Sequence, residues 1–150
     1  MNAIDGILKS INDLAKRVGR LEVQDAPRWV YLAAPLTSAS WDWDAYSTTA
    51  KTVIDLSAVF SAPAGIKAIL VLLAANDSGS AANFAWLGVS PNDTAGSVAV
   101  LCSTQGVAND GIASNSGVCP CSATGDIYYQ IAASGASTLD AYMQIWGYAI

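Results

Sequence analysis

Histidine is absent from this 150-residue chain, and with it go the commonest general base and the commonest metal ligand. Charge is sparse as well. Asp, Glu, Lys and Arg make up 13% of residues, where a typical soluble domain carries about 25%. Seven Lys/Arg stand against twelve Asp/Glu, for a formal charge of −5. After Pro27 only Arg28, Lys51 and Lys67 are basic, against eight Asp. Three scattered cations make no surface for a nucleic acid. The longest apolar run, residues 68–75, has eight residues, against about 20 for a membrane span. The N-terminus has no continuous apolar segment of the kind a secretory signal carries, so none is expected. Gly-x-Ser-x-Gly, Gly-x-Gly-x-x-Gly, a P-loop and a nucleophile with a His partner are all missing. The expectation is a non-enzymatic protein with no cofactor, no catalytic residues and no metal site.

What remains is a core and a seam. Ala accounts for 27 of the apolar residues, but 34 Leu, Ile and Val and 13 aromatics suffice for one sizeable core. Residues 1–24 read as a coiled coil. Ile4, Ile11 and Val18 fall at a, and Ile7, Leu14 and Leu21 at d, a narrow stripe over three heptads. At roughly 1.5 Å per residue the rod is about 33 Å long. Gly6 and Gly19 each cost up to about 1 kcal/mol relative to Ala, so this helix needs help from whatever follows it. Ile at both seam positions of the first heptad leans towards three strands. The stretch Arg17-Val18-Gly19-Arg20-Leu21-Glu22 resembles the trimerisation signature of short coiled coils. The resemblance implies that Arg17 packs on the seam and pairs with a neighbour's Glu22.

Asp25-Ala26-Pro27 ends the helix, because the residue before Pro is pushed out of the α region, and 25–28 reads as a linker. From residue 29 to 150 the chain turns to short β-favouring runs between Ser, Thr, Gly and Asn turns. Strands are expected at 29–33, 41–46, 51–56, 66–75, 83–89, 97–104, 127–133 and 139–150. Residues 105–126 read as a long Gly/Ser loop. The fold class is therefore mainly β: an N-terminal helical trimeric coiled coil, then an antiparallel, jelly-roll-like β-sandwich head. Two strands look apolar on both faces. Residues 69–73 are continuous Ile-Leu-Val-Leu-Leu. The last strand carries Leu139, Ala141, Met143 and Ile145 on one side, with Tyr142, Trp146, Tyr148 and Ile150 on the other. Such strands need a second covering layer, and copies around a threefold axis supply one.

The segments Thr52-Val53-Ile54-Asp55-Leu56-Ser57 and Pro63-Ala64-Gly65-Ile66-Lys67-Ala68-Ile69-Leu70-Val71 resemble a pattern common in bacteriophage fibre and spike heads. The ending Gln144-Ile145-Trp146-Gly147-Tyr148-Ala149-Ile150 is similar to the closing strand of such heads, and to that of trimeric jelly rolls of the tumour-necrosis-factor and complement type. The resemblance implies a homotrimeric virion structural protein, a small fibre or spike. Its N-terminal region would attach to capsid, portal, collar or tail proteins, and its head would bind a host-surface glycan or protein. A capsid decoration protein, clamping the shell at threefold sites, is the alternative. Neither needs nucleic acid or membrane insertion.

Two local constellations stand out. In Trp41-Asp42-Trp43-Asp44, period-2 alternation puts the carboxylates on one face and the indoles on the other. With Tyr46 they form the candidate receptor-binding group, since aromatic faces stack on sugars; core packing of the indoles is the plainer reading. Cys102, Cys119 and Cys121 allow either a disulfide from Cys102 to one of the others, stapling the 105–126 loop, or buried free thiols.

Overall fold

A computed structural model describes residues 3–24, 27–79 and 84–150, with backbone alone at residues 3 and 19–24. One helix, α1 (Ala3–Gln24), precedes the sandwich. Asp5 in its first turn complements the helix dipole, and the Ser10 hydroxyl donates back to the Gly6 carbonyl at 3.1 Å. Residues 25 and 26, most of the expected linker, lie outside the described residues.

The head is built from β1 (Trp29–Leu36), β2 (Asp42–Tyr46), β3 (Thr49–Ile54), the short helix α2 (Leu56–Phe60), β4 (Ala68–Asp77), β5 (Trp86–Ser90), β6 (Val100–Ser103), β7 (Ile112–Pro120), β8 (Ile127–Ala132) and β9 (Leu139–Ala149). Every pairing is antiparallel. One sheet runs β1-β9-β4-β7, with β2 also on β9, and the other runs β3-β8-β5-β6. Strands β1 and β2 lie in succession along one side of β9, so they act as one interrupted strand. The outermost strands of the chain then pair with each other (β1/β2 with β9), followed by β3 with β8, β4 with β7 and β5 with β6. A long hairpin folded over in this way is the jelly-roll arrangement, eight strands in two facing sheets.

The core lies between the sheets. From the larger sheet come Ile69, Val71, Leu73 and Ala75 of β4 and Leu139, Ala141, Met143 and Ile145 of β9. Leu87, Val89, Val100, Cys102, Ile127 and Ile131 meet them from the other sheet. Leu56, Phe60 and Ile66 close one end.

Several expectations need correction. The expected strand 51–56 stops at Ile54, because Asp55 caps α2: its carboxylate accepts from the Ser57 and Ala58 amides at 3.0 Å and the Ser57 hydroxyl at 2.7 Å. The Ser57 hydroxyl first, and the Ala58 amide second, hold this carboxyl below the usual range. The expected loop 105–126 contains a nine-residue strand, β7, paired along its whole length with β4. At the expected strand 41–46, Trp41 belongs to a 3-10 turn (Ala39–Trp41) and pairing begins at Asp42. Residue 83, the expected start of β5, lies outside the described residues.

Two polar anchors, half-buried Lys51 and buried Asp77, tie the loops. Lys51 Nζ donates to Ser90 Oγ and to the carbonyls of Asn92, Thr94 and Ser97 at 2.5–3.1 Å, so one ammonium gathers the β5–β6 loop. Asp77 accepts from the Gly79 amide at 2.8 Å, the Ser134 amide at 3.0 Å and the Ser134 hydroxyl, joining the end of β4 to the β8–β9 turn. The free edges meet as well. Asn115 of β7 donates its amide to the Leu101 carbonyl of β6 at 2.8 Å, bridging the two sheets.

Candidate functional site

The seam of α1 is open. Ile4, Ile7, Ile11, Leu14 and Val18 are 45–61% exposed, and Leu8 at 59% widens the stripe in the first half of the helix. Arg17 is exposed; the side chains of Leu21 and Glu22 lie outside the described residues. A helix with one apolar stripe leaves it uncovered only at a cost of several kcal/mol in unburied side chains, at about 1.5–3 kcal/mol each.

The Trp41–Tyr46 group divides. Trp41 is buried, stacked on Tyr46 with ring centroids 5.2 Å apart and edge-on to Tyr129 at 4.8 Å. Tyr46 donates its hydroxyl to the Ser40 carbonyl at 2.5 Å. Burial, with Tyr129 and Asp44 nearby, pushes its pKa up to about 12. Trp41 belongs to the core, and half-buried Tyr46 packs against it. The alternation expected for Asp42 and Asp44 fails, because Trp43 is the extra residue of a β-bulge against β9. It adopts a left-handed φ of 67°, an uncommon conformation for a bulky side chain. The bulge turns Trp43 onto Tyr142 of β9, stacked at 5.2 Å and 16°. It stays 38% exposed, with Asp42 and Asp44 exposed on either side.

From Trp43 a polar-aromatic line runs along β9. Gln144 donates to the Tyr142 hydroxyl and accepts from Trp146 Nε1 at 3.1 Å. Trp146 is itself the unpaired residue of a second bulge, since Leu70 pairs with Gly147 and Val71 with Ile145. This shift corrects the expected outer row of β9: Tyr148 lies opposite fully buried Ile69 and packs on the core, while Gly147 opposes Tyr31 and Leu70. A Cβ at Gly147 would come within 2.9 Å of the Val30 carbonyl oxygen, so the close approach of β1 requires glycine.

Where β1, β9, β4 and β7 begin and end together, the outer face is apolar. Trp29 stacks on Tyr31 at 6.3 Å, and with Leu70 and Val118 they line a shallow hollow. A second hollow of about 330 Å³ lies beside it, bordered by Leu70, Leu72, Ser116 and Trp146. Tyr31 is 74% exposed, and Val118 and Trp146 are also open to solvent. The sequence signalled the two-faced character of β4 and β9, but not the part played by Trp29, Tyr31 and Val118.

The cysteines are free thiols. Burial pushes Cys102 up to about 11, and Cys119 and Cys121 to about 12, with Cys121 adding to the shift at Cys119 and Asp126 to that at Cys121. Such thiols stay protonated and weakly reactive near neutrality. Among the described residues no group of three or more His, Cys, Asp or Glu is placed to hold a metal ion. No described helix is long and apolar enough to cross a membrane.

No protein-family model matches the chain, and no curated protein matches it. Among solved structures, the coat protein of Tobacco streak virus is similar at 9% identity and a TM-score of 0.45, over 84% of this chain and 88% of that one. A likeness at that level assigns neither a family nor a role.

Proposed function

We propose that this chain is a homotrimeric virion structural protein without enzymatic activity, a small bacteriophage fibre or spike. Its helix zips three copies together and attaches them to the particle, and its jelly-roll head meets the host surface. One observation carries the reading: a 22-residue helix with an open a/d stripe stands ahead of a sandwich whose core is already complete. The stripe adds nothing to that core, and association is what a narrow seam suits. The virion setting rests on the resemblance of residues 52–57, 63–71 and 144–150 to fibre and spike heads. Three linked copies turn a weak surface contact into a firm one, and Trp43, with Asp42 and Asp44 beside it in sequence, is the member of the expected receptor-binding group whose ring is exposed for a glycan face.

The test is incorporation. Chains lacking residues 1–24 should yield folded heads that no longer join particles. Truncated heads found on particles at the full-length level would contradict anchoring by the helix. The decoration-protein reading has one observation in its favour, the apolar outer face of the larger sheet, which suits a head lying flat on a shell. Particle imaging separates the two: a protruding stalk fits the fibre, and a low knob over a lattice threefold fits decoration.

A further inference from the structure

We infer that the helix-proximal half of the outer face of the β1-β9-β4-β7 sheet is the surface through which the heads pack on further copies of this chain. The inference rests on the trimeric reading and adds the place and the residues of the head contact. Three observations lead to the same occupant.

The first is reach. Arg28 and Ile150 exchange backbone hydrogen bonds at 3.0 Å, so the chain enters the sheet at the end where β1 starts and β9 finishes. Four residue steps separate Gln24 from Arg28, a span of about 14 Å at full extension. Copies joined along α1 are therefore held with this end of each head close to the common axis.

The second is the gradient along the face. At the entry end it presents Trp29, Tyr31, Leu70, Leu72, Val118 and Trp146, with Ser116 and Gln144 as its polar members. At the far end stand Asp42 and Asp140 beside Trp43, with exposed Ile112 on β7, while Asp44, opposite Ala141, belongs to the inner row. Identical acidic ends repel when brought together, whereas identical uncharged apolar ends do not. Of the two ends, the one that the helix brings near the axis is the uncharged one, and it is the better suited to self-contact.

The third is shape. The apolar half has a projecting residue, Tyr31, and a recess beside Trp146. A contact around a threefold axis is heterologous, setting different parts of one face against each other.

The experiment uses the full chain. Tyr31→Asp and Val118→Asp each place a charge on the face at an exposed position, and Val53→Asp, exposed on β3 of the other sheet, is the control. Sedimentation equilibrium should show trimer association weakened about 100-fold or more by either face variant, and by less than about threefold by the control. In parallel, a benzophenone amino acid at Val118 should cross-link to a second copy on irradiation, with the unsubstituted neighbours intact. A trimer that is unaffected by both face variants and gives no such cross-link overturns the head contact while leaving trimerisation standing. A chain that is monomeric before any substitution overturns both. Cross-links from position 118 to a shell protein in intact particles, in place of a second copy, assign the face to the shell and also overturn the inference.

Discussion

Four side chains in the head hold their protons more tightly than usual, and the cause is the same at each. Burial is the leading influence on Tyr46, Cys102, Cys119 and Cys121, moving them up to about 12, 11, 12 and 12. All four are acids whose charged form the fold disfavours, so their folded values lie above the unfolded ones. The stability this provides is complete below about pH 9 and is lost as pH climbs through 11 towards 12. The head should therefore keep a constant urea midpoint from pH 7 to about 9 and lose stability steeply above 10. A thiol-specific reagent at pH 8 should modify the native chain slowly and the urea-unfolded chain at all three cysteines at once. Rapid labelling of Cys102 or Cys119 in the native protein at pH 8 would show that these two thiols are not buried as described.

At the scale of elements, the two bulges determine what the sheets present. Trp43 turns outward onto Tyr142 because β2 takes one residue more than β9. Past Trp146 the faces exchange because β9 takes one residue more than β4, turning Gly147 outward and Tyr148 inward. Gly147 makes the second bulge compatible with β1, as a side chain there would collide with the Val30 carbonyl. Gly147→Val should cost about 2 kcal/mol or more in urea unfolding, and an unchanged midpoint would mean that β1 moves away freely. The strands rich in Ile, Leu and Val, β4 and β9, were legible in the sequence, because their burial is written in side chains. Strand β7 was not. Its Ser114, Asn115, Ser116 and Gly117 carry no apolar period, and what holds it is a backbone ladder to β4 across nine residues at a sheet edge. Helix α2 was hidden for a similar reason, being five residues long and set by one capping carboxylate. The candidate site suffered most. Alternation assigned the faces of Asp42, Trp43 and Asp44 on the assumption of an unbroken strand, and a single inserted residue undoes such an assignment.

For the whole molecule, the head and the helix answer to different forces. The head closes its own core, with β4 and β9 fully buried on their inner rows. Among the described residues nothing covers Ile4, Ile7, Ile11, Leu14 and Val18 in this way. On the proposed trimer, three short heptads interrupted by Gly6 and Gly19 would be weak by themselves, and the apolar entry end of the larger sheet would supply the additional contact area. On this account helix and head reinforce one another, and neither half associates as firmly alone. The most direct test is the mass of the full chain in dilute buffer at micromolar concentration, by sedimentation equilibrium or native mass spectrometry. The account predicts a species of three times the 15.5 kDa chain mass, persisting on dilution, and a well-behaved single chain of 15.5 kDa would contradict it.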